Sequence, residues 1–259
     1  MTSPALPGVS LTFEPAVAGE EPLRTDVAAF LGRTRRGPLD RPVRVTSWND
    51  VLGVFGEPDG SSATPYALRG FFENGGTTAW VSRVSGPALP ASTSWTVEGG
   101  GLPHGSYRVV ASSPGAWANG ARVAVRYRAS TVAGPPTVTV RVVVAGEPPE
   151  IFAGLPPAEV VERLTASRLV RLVPDRPAAP LPPPGGPISL SWDLVLAGGT
   201  DSPPDRDDYA DAVRTQADLP EPALVALPDL GADLPGQDHV DLVAELLAVV
   251  EPLDRKSVV

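Results

Sequence analysis

The sequence predicts a mixed α/β (α+β) fold, in which a partly parallel sheet with covering helices is joined by an inserted β-rich subdomain and an extended N-terminal arm. Three observations lead there. Segments of period-two and of helical periodicity alternate over residues 25–85 and again over 188–259, the order expected of a largely parallel sheet with helices packed on it. Residues 86–187 are dominated instead by period-two segments and end in a proline-rich loop, so they form an inserted, variable β-rich region. Residues 1–24 are punctuated by Pro and Gly and hold one short alternating stretch, Val9, Leu11 and Phe13 after Pro7-Gly8, which fits an exposed arm.

The first strong strand is DVAAFLG (26–32), followed by a Gly37-Pro38 turn and a second strand in PVRVTS (42–47). Ser47 is a good N-cap, with Asp50 three residues on, ahead of the apolar Val51, Leu52 and Phe55. Thr64-Pro65 marks a second helix start, a cap followed by proline at the first helical position. Ala67 and Phe71, then Leu68 and Phe72, stand four apart and share a face. Asn74, Gly75 and Gly76 supply the left-handed residue that ends a helix, and TTAWVSRV leaves as a strand carrying Trp80. Phe71, Phe72, Asn74, Gly75, Gly76 and Trp80 thus define a sharp structural corner closing a β-β-α-α-β unit.

Further on, ARVAVRYRA (121–129) and PTVTVRVVVAG (136–146) flank a Gly134-Pro135-Pro136 turn and read as a hairpin. PPAEVVERLTAS (156–167) is helical, RLVRLV (168–173) a strand, and PDRPAAPLPPPGGP (174–187), with seven prolines in 14 residues, an exposed loop. ISLSWDLVLAGG (188–199) is a strand that leads through a turn and cap, Gly198, Gly199, Thr200 and Asp201, into a helix over 203–216. PALVALPD (222–229) is a strand, and HVDLVAELLAVVE (239–251) a helix with Val243, Leu246, Leu247 and Val250 as its apolar stripe. KSVV (256–259) begins another strand.

Composition removes whole classes of function. The chain has no cysteine, which excludes disulfides, thiolate nucleophiles and Cys-based metal sites. A formal net charge of −9 gives no basic face for nucleic acid, and Lys256 is the sole lysine. LVAELLAVV, its most apolar segment, is broken by Glu245, and MTSPALPGVS lacks the basic and apolar regions of a signal peptide, so no membrane contact is expected. Nucleophile-elbow, zinc-helix, phosphate-loop and dinucleotide motifs are missing, and His104 and His239 lie in dissimilar contexts. The acidic run Asp201, Asp205, Asp207, Asp208 and Asp211 allows two readings. One is a loop for a hard divalent cation; the better fit is a helix cap with acidic residues favourable to the dipole. Trp48, Trp80, Trp95, Trp117 and Trp192 are expected in cores rather than in a stacking cleft. No enzyme, cofactor or metal site is predicted.

The strings LPGVSLTFEP, TDVAAFLGRTRRGPLDRPVRVTSWNDVLGVFGEP, ALRGFFENGGTTAWVSRV, SSPGAWANGARVAVR and LAGGTDS, then DDYADAV and ALVALPDL, resemble in order the tail sheath proteins of contractile phages and contractile injection systems. The resemblance implies a structural subunit that polymerises with other sheath subunits around an inner tube, contacts a baseplate and a tail terminator, and contracts to drive the tube through a target envelope. It implies assembly in the bacterial cytoplasm into a phage tail or tail-like particle. It makes residues 6–15, with Pro7, Gly8, Val9, Leu11 and Phe13, an arm that adds a strand to a neighbour. Family members carry a further C-terminal domain beyond the strand at Lys256, so this chain is expected to be a fragment or truncated form; a shortened accessory or capping paralogue is the alternative, and a divalent-metal-binding α/β protein a weaker one.

Overall fold

A computed structural model of the chain describes residues 25–97, 105–129, 134–177, 188–219, 224–250 and 256–258. The expected arm, with Pro7, Gly8, Val9, Leu11 and Phe13, and residues 178–187 of the proline-rich run lie outside them. The described strands form a five-stranded, a four-stranded and a three-stranded sheet.

The five-stranded sheet is built on β1 (Val27–Gly32), all six of whose residues are buried. Such an unbroken apolar run is what a parallel strand covered on both faces needs. β1 runs parallel to β3 (Thr78–Arg83) and to β11 (Leu224–Ala226), with Ala29 beside both Trp80 and Val225. β12 (Lys256–Val258) adds a parallel edge, and β2 (Val43–Val45) an antiparallel one beside β3. The predicted mixed, partly parallel sheet with covering helices is therefore present.

Alternation along β1 splits the core in two. Ala28 and Phe30 join Val45, Val51, Phe55, Leu68, Ala79 and Val81 beneath α1 (Trp48–Phe55) and α2 (Thr64–Glu73). Ala29 and Leu31 face the other way, onto Tyr209 and Val213 of α4 (Arg206–Arg214), Leu230 of α5 (Leu230–Asp233) and Leu242 and Leu246 of α6 (Gln237–Val250). Burying each such leucine contributes about 1.5–3 kcal/mol, so both helix layers are anchored by burial rather than by intrinsic propensity.

The other two sheets face each other across one core. β10 (Ile188–Val195), β6 (Arg122–Ala129), β7 (Thr137–Val143) and β8 (Glu150–Leu155) form one, and β4 (Ser92–Val97), β5 (Gly105–Ala111) and β9 (Val170–Pro177) the other, both antiparallel. Trp95, Tyr107 and Val109 meet Val123, Val125, Tyr127, Val138 and Val140 between them, with Leu164 of α3 (Val160–Thr165) added at the side.

Several expectations are corrected. β10 lies in the segment expected to form the second α/β part, but it pairs with β6 over its whole length, because its alternating pattern suits a half-solvated antiparallel strand better than a doubly covered parallel one. Pro174–Pro177 is not loop but the end of β9, at a sheet edge where a missing N–H costs least. The buried stripe of α6 is Leu242, Leu246 and Val250, while Leu247 is 46% exposed. Ser47, by contrast, caps α1 as expected, accepting from Asp50 N–H at 3.2 Å, while Asp50 accepts from the Thr46 N–H and hydroxyl, and these bonds, together with those to Ser47, hold its carboxyl below the usual range.

At the corner, Gly76 N–H donates to the Phe71 carbonyl at 2.9 Å and Gly75 N–H to that of Phe72 at 3.3 Å, a Schellman closure. Gly75 has φ +94° with open space around it, whereas a Cβ on Gly76 would lie 2.3 Å from the Phe71 ring. That ring is packed edge-on against Phe30 and Phe72 at 5.5 and 5.4 Å, so it has little room to yield. The two glycines are thus required for different reasons, one conformational and one steric. Gly75→Ala should cost about 1 kcal/mol. Gly76→Ala should cost about 1–3 kcal/mol and disturb the aromatic circular dichroism, since it displaces Phe71. Urea denaturation of both variants checks this; two neutral substitutions would contradict it.

Candidate functional site

Enzymes with parallel sheets keep their ligands at the carboxyl ends of the strands. Here that end is occupied by the chain's own polar groups. β1 runs into Arg33-Thr34-Arg35-Arg36, and all three guanidiniums are engaged by the chain itself. Arg33 Nε lies 3.1 Å from Asp233, and its Nη2 donates to the Ser61 carbonyl at 2.8 Å. Arg35 Nη2 donates to the Ala145 carbonyl in the loop after β7.

Arg36 reaches the same loop and is fully enclosed. Its Nε and Nη2 donate to the two carboxylate oxygens of Glu147 at 3.1 and 3.2 Å, with the two side chains 4% and 3% exposed. Nη1 donates to the Val54 carbonyl at 2.9 Å and Nη2 also to those of Leu52 and Gly53 at 3.1 and 2.9 Å, all in the last turn of α1, where Leu52 O accepts from Gly56 N–H as well. The guanidinium also lies 5.7 Å from the Trp117 ring centre. One cation therefore caps α1, closes the loop after β1 and holds the four-stranded sheet.

Arg83, at the end of β3, does the same from the other side. It donates to the carbonyls of Thr34, Gly37 and Pro114 at 3.2, 2.9 and 2.8 Å, and burial pushes it down to about 10, partly offset by Asp201. It stays charged at neutral pH. Asp229, beyond β11 and 2% exposed, accepts from Arg33 N–H at 2.9 Å, Ala63 N–H at 2.5 Å and the Thr64 hydroxyl at 2.7 Å. Thr64, expected to cap α2, is its first residue, and Asp229 caps that helix from 165 residues away. Tyr209 donates to Asp233 at 2.7 Å, and burial, then that bond, raises its hydroxyl.

A cleft of about 480 Å³ remains beside these groups, lined by Arg33, Arg35, Asp59, Arg83, Trp117 and Asp201 among others. Its guanidiniums are each held by carbonyls or carboxylates of the chain itself. Among the described residues no cluster of three His, Asp or Glu is placed to hold a metal ion. In the acidic run, Asp205 accepts from the N–H groups of Asp207 and Asp208 at 2.9 and 3.1 Å, and Asp208 accepts from Asp205 N–H at 2.9 Å. This reciprocal capping box makes Asp205 the cap of α4. Asp201, expected in that role, stands beside Arg83 instead.

The turn before it fastens the two halves. Gly198 has φ +78°, and a Cβ on Gly199 would lie 2.4 Å from the Gly115 carbonyl oxygen. The Asn119 side chain donates to Gly199 O and accepts from Gly199 N–H, both at 2.8 Å, while Thr200 and Leu89 exchange backbone bonds at 2.9 and 2.8 Å. Trp95 and Trp117 are buried, Trp95 lying edge-on to Trp192 at 5.6 Å, and Trp48, Trp80 and Trp192 are partly buried against the cores. His239 lies on α6, and His104 is outside the described residues. The buried arginine brackets were missed in the sequence; the run RTRR directly after an apolar strand was the available signal.

No family model matches the sequence, and no curated protein does. Solved structures do. The chain is similar to a sheath tail protein from Listeria innocua, with 17% identity and a TM-score of 0.61 over 93% of this chain and 48% of that one. It is also similar to a sheath tail protein from Desulfitobacterium hafniense, with 15% identity and a TM-score of 0.53 over 95% of this chain and 49% of that one. The shared feature is the fold, and this chain spans about half the length of both structures.

Glu147→Ala should destabilise the protein by roughly 3–5 kcal/mol, since it strands a buried guanidinium. Glu73→Ala, which breaks the exposed Arg69–Glu73 pair, should leave the stability nearly unchanged, because solvent screens both charges. Chemical denaturation of the two variants measures the contrast, and equal costs would show that Arg36 is not a structural bracket.

Proposed function

We propose that the chain is a structural subunit of a contractile tail sheath, one that polymerises with copies of itself around an inner tube and contracts to drive that tube through a target envelope. The observation that carries this reading is the likeness to two sheath tail proteins along 93–95% of the chain. The site chemistry agrees with it. The polar groups at the carboxyl ends of the parallel strands are engaged in bracing one part of the chain against another, which suits a body that must transmit force without deforming.

On this reading the working contacts are made with neighbouring subunits, the tube, the baseplate and the tail terminator, in a phage tail or a tail-like particle assembled in the bacterial cytoplasm. Residues 6–15 would serve as an arm that adds a strand to a neighbour's sheet, a mode that survives rigid-body movement because it relies on main-chain hydrogen bonds. The role is mechanical, and no catalysis is assigned to the chain.

Electron microscopy of tail-like particles from cells producing the protein, labelled with gold-conjugated antibody to this chain, should show label at regular axial intervals along the tail. Label confined to the baseplate or away from particles would contradict the reading. Removal of residues 1–15 should abolish the regular array and leave the circular dichroism of the protein unchanged; intact arrays would rule out the arm.

A further inference from the structure

Charge is unevenly divided along the chain. Residues 86–187 hold nine arginines against six carboxylates, while the remainder holds 12 basic against 24 acidic residues. Much of the positive excess falls on one surface, the outer face of the four-stranded sheet. Alternation along β6 puts Val123, Val125 and Tyr127 into the core and turns Arg122, Arg126 and Arg128 outward. Arg141 of β7 lies on the same face, in register with Ala124.

The arginines are poorly compensated. Arg126 donates to Asp193 of β10 at 2.8 Å, and among the described residues no ion pair is formed by Arg122, Arg128 or Arg141. Their cross-strand neighbours are Val195 and Val143 for Arg122, Ser189 and Thr137 for Arg128, and Ala124 and Ile151 for Arg141. Like charges set together on one sheet face cost stability, so an external counter-charge is the natural complement. The same face also exposes Val143, Ile151 and Val195, at 37%, 60% and 53%. Arginine mixed with exposed apolar side chains is the composition of protein interfaces rather than of solvated surfaces.

We infer that this face docks onto the acidic α4–α6 helix layer of a second copy of the chain. This rests on the reading that copies of the chain assemble. The matching surface is on the same molecule: Asp207 and Asp211 of α4 are 91% and 78% exposed, and Asp238 and Asp241 of α6 are exposed beside Val240 and Leu247. The layer holds two arginines, both on α4 and both already paired within it: Arg206 with Glu245 at 3.3 Å and Asp207 at 3.8 Å, and Arg214 with Glu245 at 3.3 Å and Asp211, so the carboxylates outnumber the cations and the face stays acidic. A contact between two different faces of identical chains is heterologous, so it propagates into rings or helices instead of closing as a dimer.

Sedimentation velocity tests the contact. The wild type should self-associate at about 50 mM salt and at least about tenfold more weakly at about 500 mM, where the screening length is several-fold shorter. Arg122→Glu with Arg128→Glu should abolish association, and so should Asp211→Arg with Asp241→Arg, while an equimolar mixture of the two variants should restore it. Arg122→Ser with Arg128→Ser provides a milder variant should the reversals unfold. Wild-type association that is indifferent to all these substitutions would overturn the docking face and leave the sheath reading standing. A wild type that stays monomeric throughout would overturn both. Binding of phosphatidylserine vesicles through the same arginines, without self-association, would assign the face to an anionic membrane and also overturn the inference.

Discussion

The buried ion pair between Arg36 and Glu147 joins residues 111 apart in the chain and three structural parts in space. One guanidinium closes the loop after β1, terminates α1 and grips the loop between β7 and β8. Arg83 makes a similar bracket with backbone carbonyls, linking the end of β3 to the loop after β1 and to the loop after β5. A buried pair of this kind is no large source of net stability, because desolvating both ions offsets most of their attraction. Its consequence is geometric. Any displacement of the four-stranded sheet from the α/β layers would leave a guanidinium or a carboxylate in apolar surroundings without a partner, and that cost fixes one arrangement.

Arginine suits this task and lysine does not. A planar fork with five donors can serve a carboxylate and several backbone carbonyls at once, as Arg36 does with Glu147, Leu52, Gly53 and Val54. The near-absence of lysine in the chain is thus compatible with a structure whose internal joints are bidentate. The remaining joints are cheaper and local in chemistry: Asp229 holding the start of α2, Asn119 clamping Gly199, and Thr200 bonded to Leu89. Together they convert what would otherwise be a sheet and a sandwich on two linkers into a single body.

Much of this was legible wherever structure is decided locally. β1 declared itself by an apolar run, α1 by Ser47 and Asp50, the corner by Asn74-Gly75-Gly76, and the β6–β7 hairpin by alternation around a Gly-Pro turn. β4, β5 and β8 escaped notice because STSWTV is mostly polar, GSYRVVA begins with glycine, and EIFAGL pairs through a register shift that breaks the alternation. The sheet to which β10 belongs is fixed by pairing with β6, more than 60 residues earlier, which no local pattern records. The same holds for the arginine brackets: RTRR is visible as a charge run, but its partners at Glu147, Ala145 and Asp233 are set by the fold. In the acidic run, Asp205 is the cap of α4 and Asp201 belongs to the turn before it, beside Arg83; proline spacing marks the helix start, but which carboxylate meets Arg83 is set by the fold.

The mechanical role proposed for the chain depends on the α/β layers and the sandwich behaving as one unit. Tryptophans report on both, with Trp48 and Trp80 beside the five-stranded sheet and Trp95 and Trp192 in the sandwich. Urea denaturation followed in single-tryptophan variants, one retaining Trp80 and one Trp192, measures the coupling most directly. Coincident midpoints and slopes are predicted, because the Arg36 and Arg83 brackets make unfolding of either part expose buried charge in the other. Two transitions separated in midpoint would show that the parts are independent and would contradict the single rigid body.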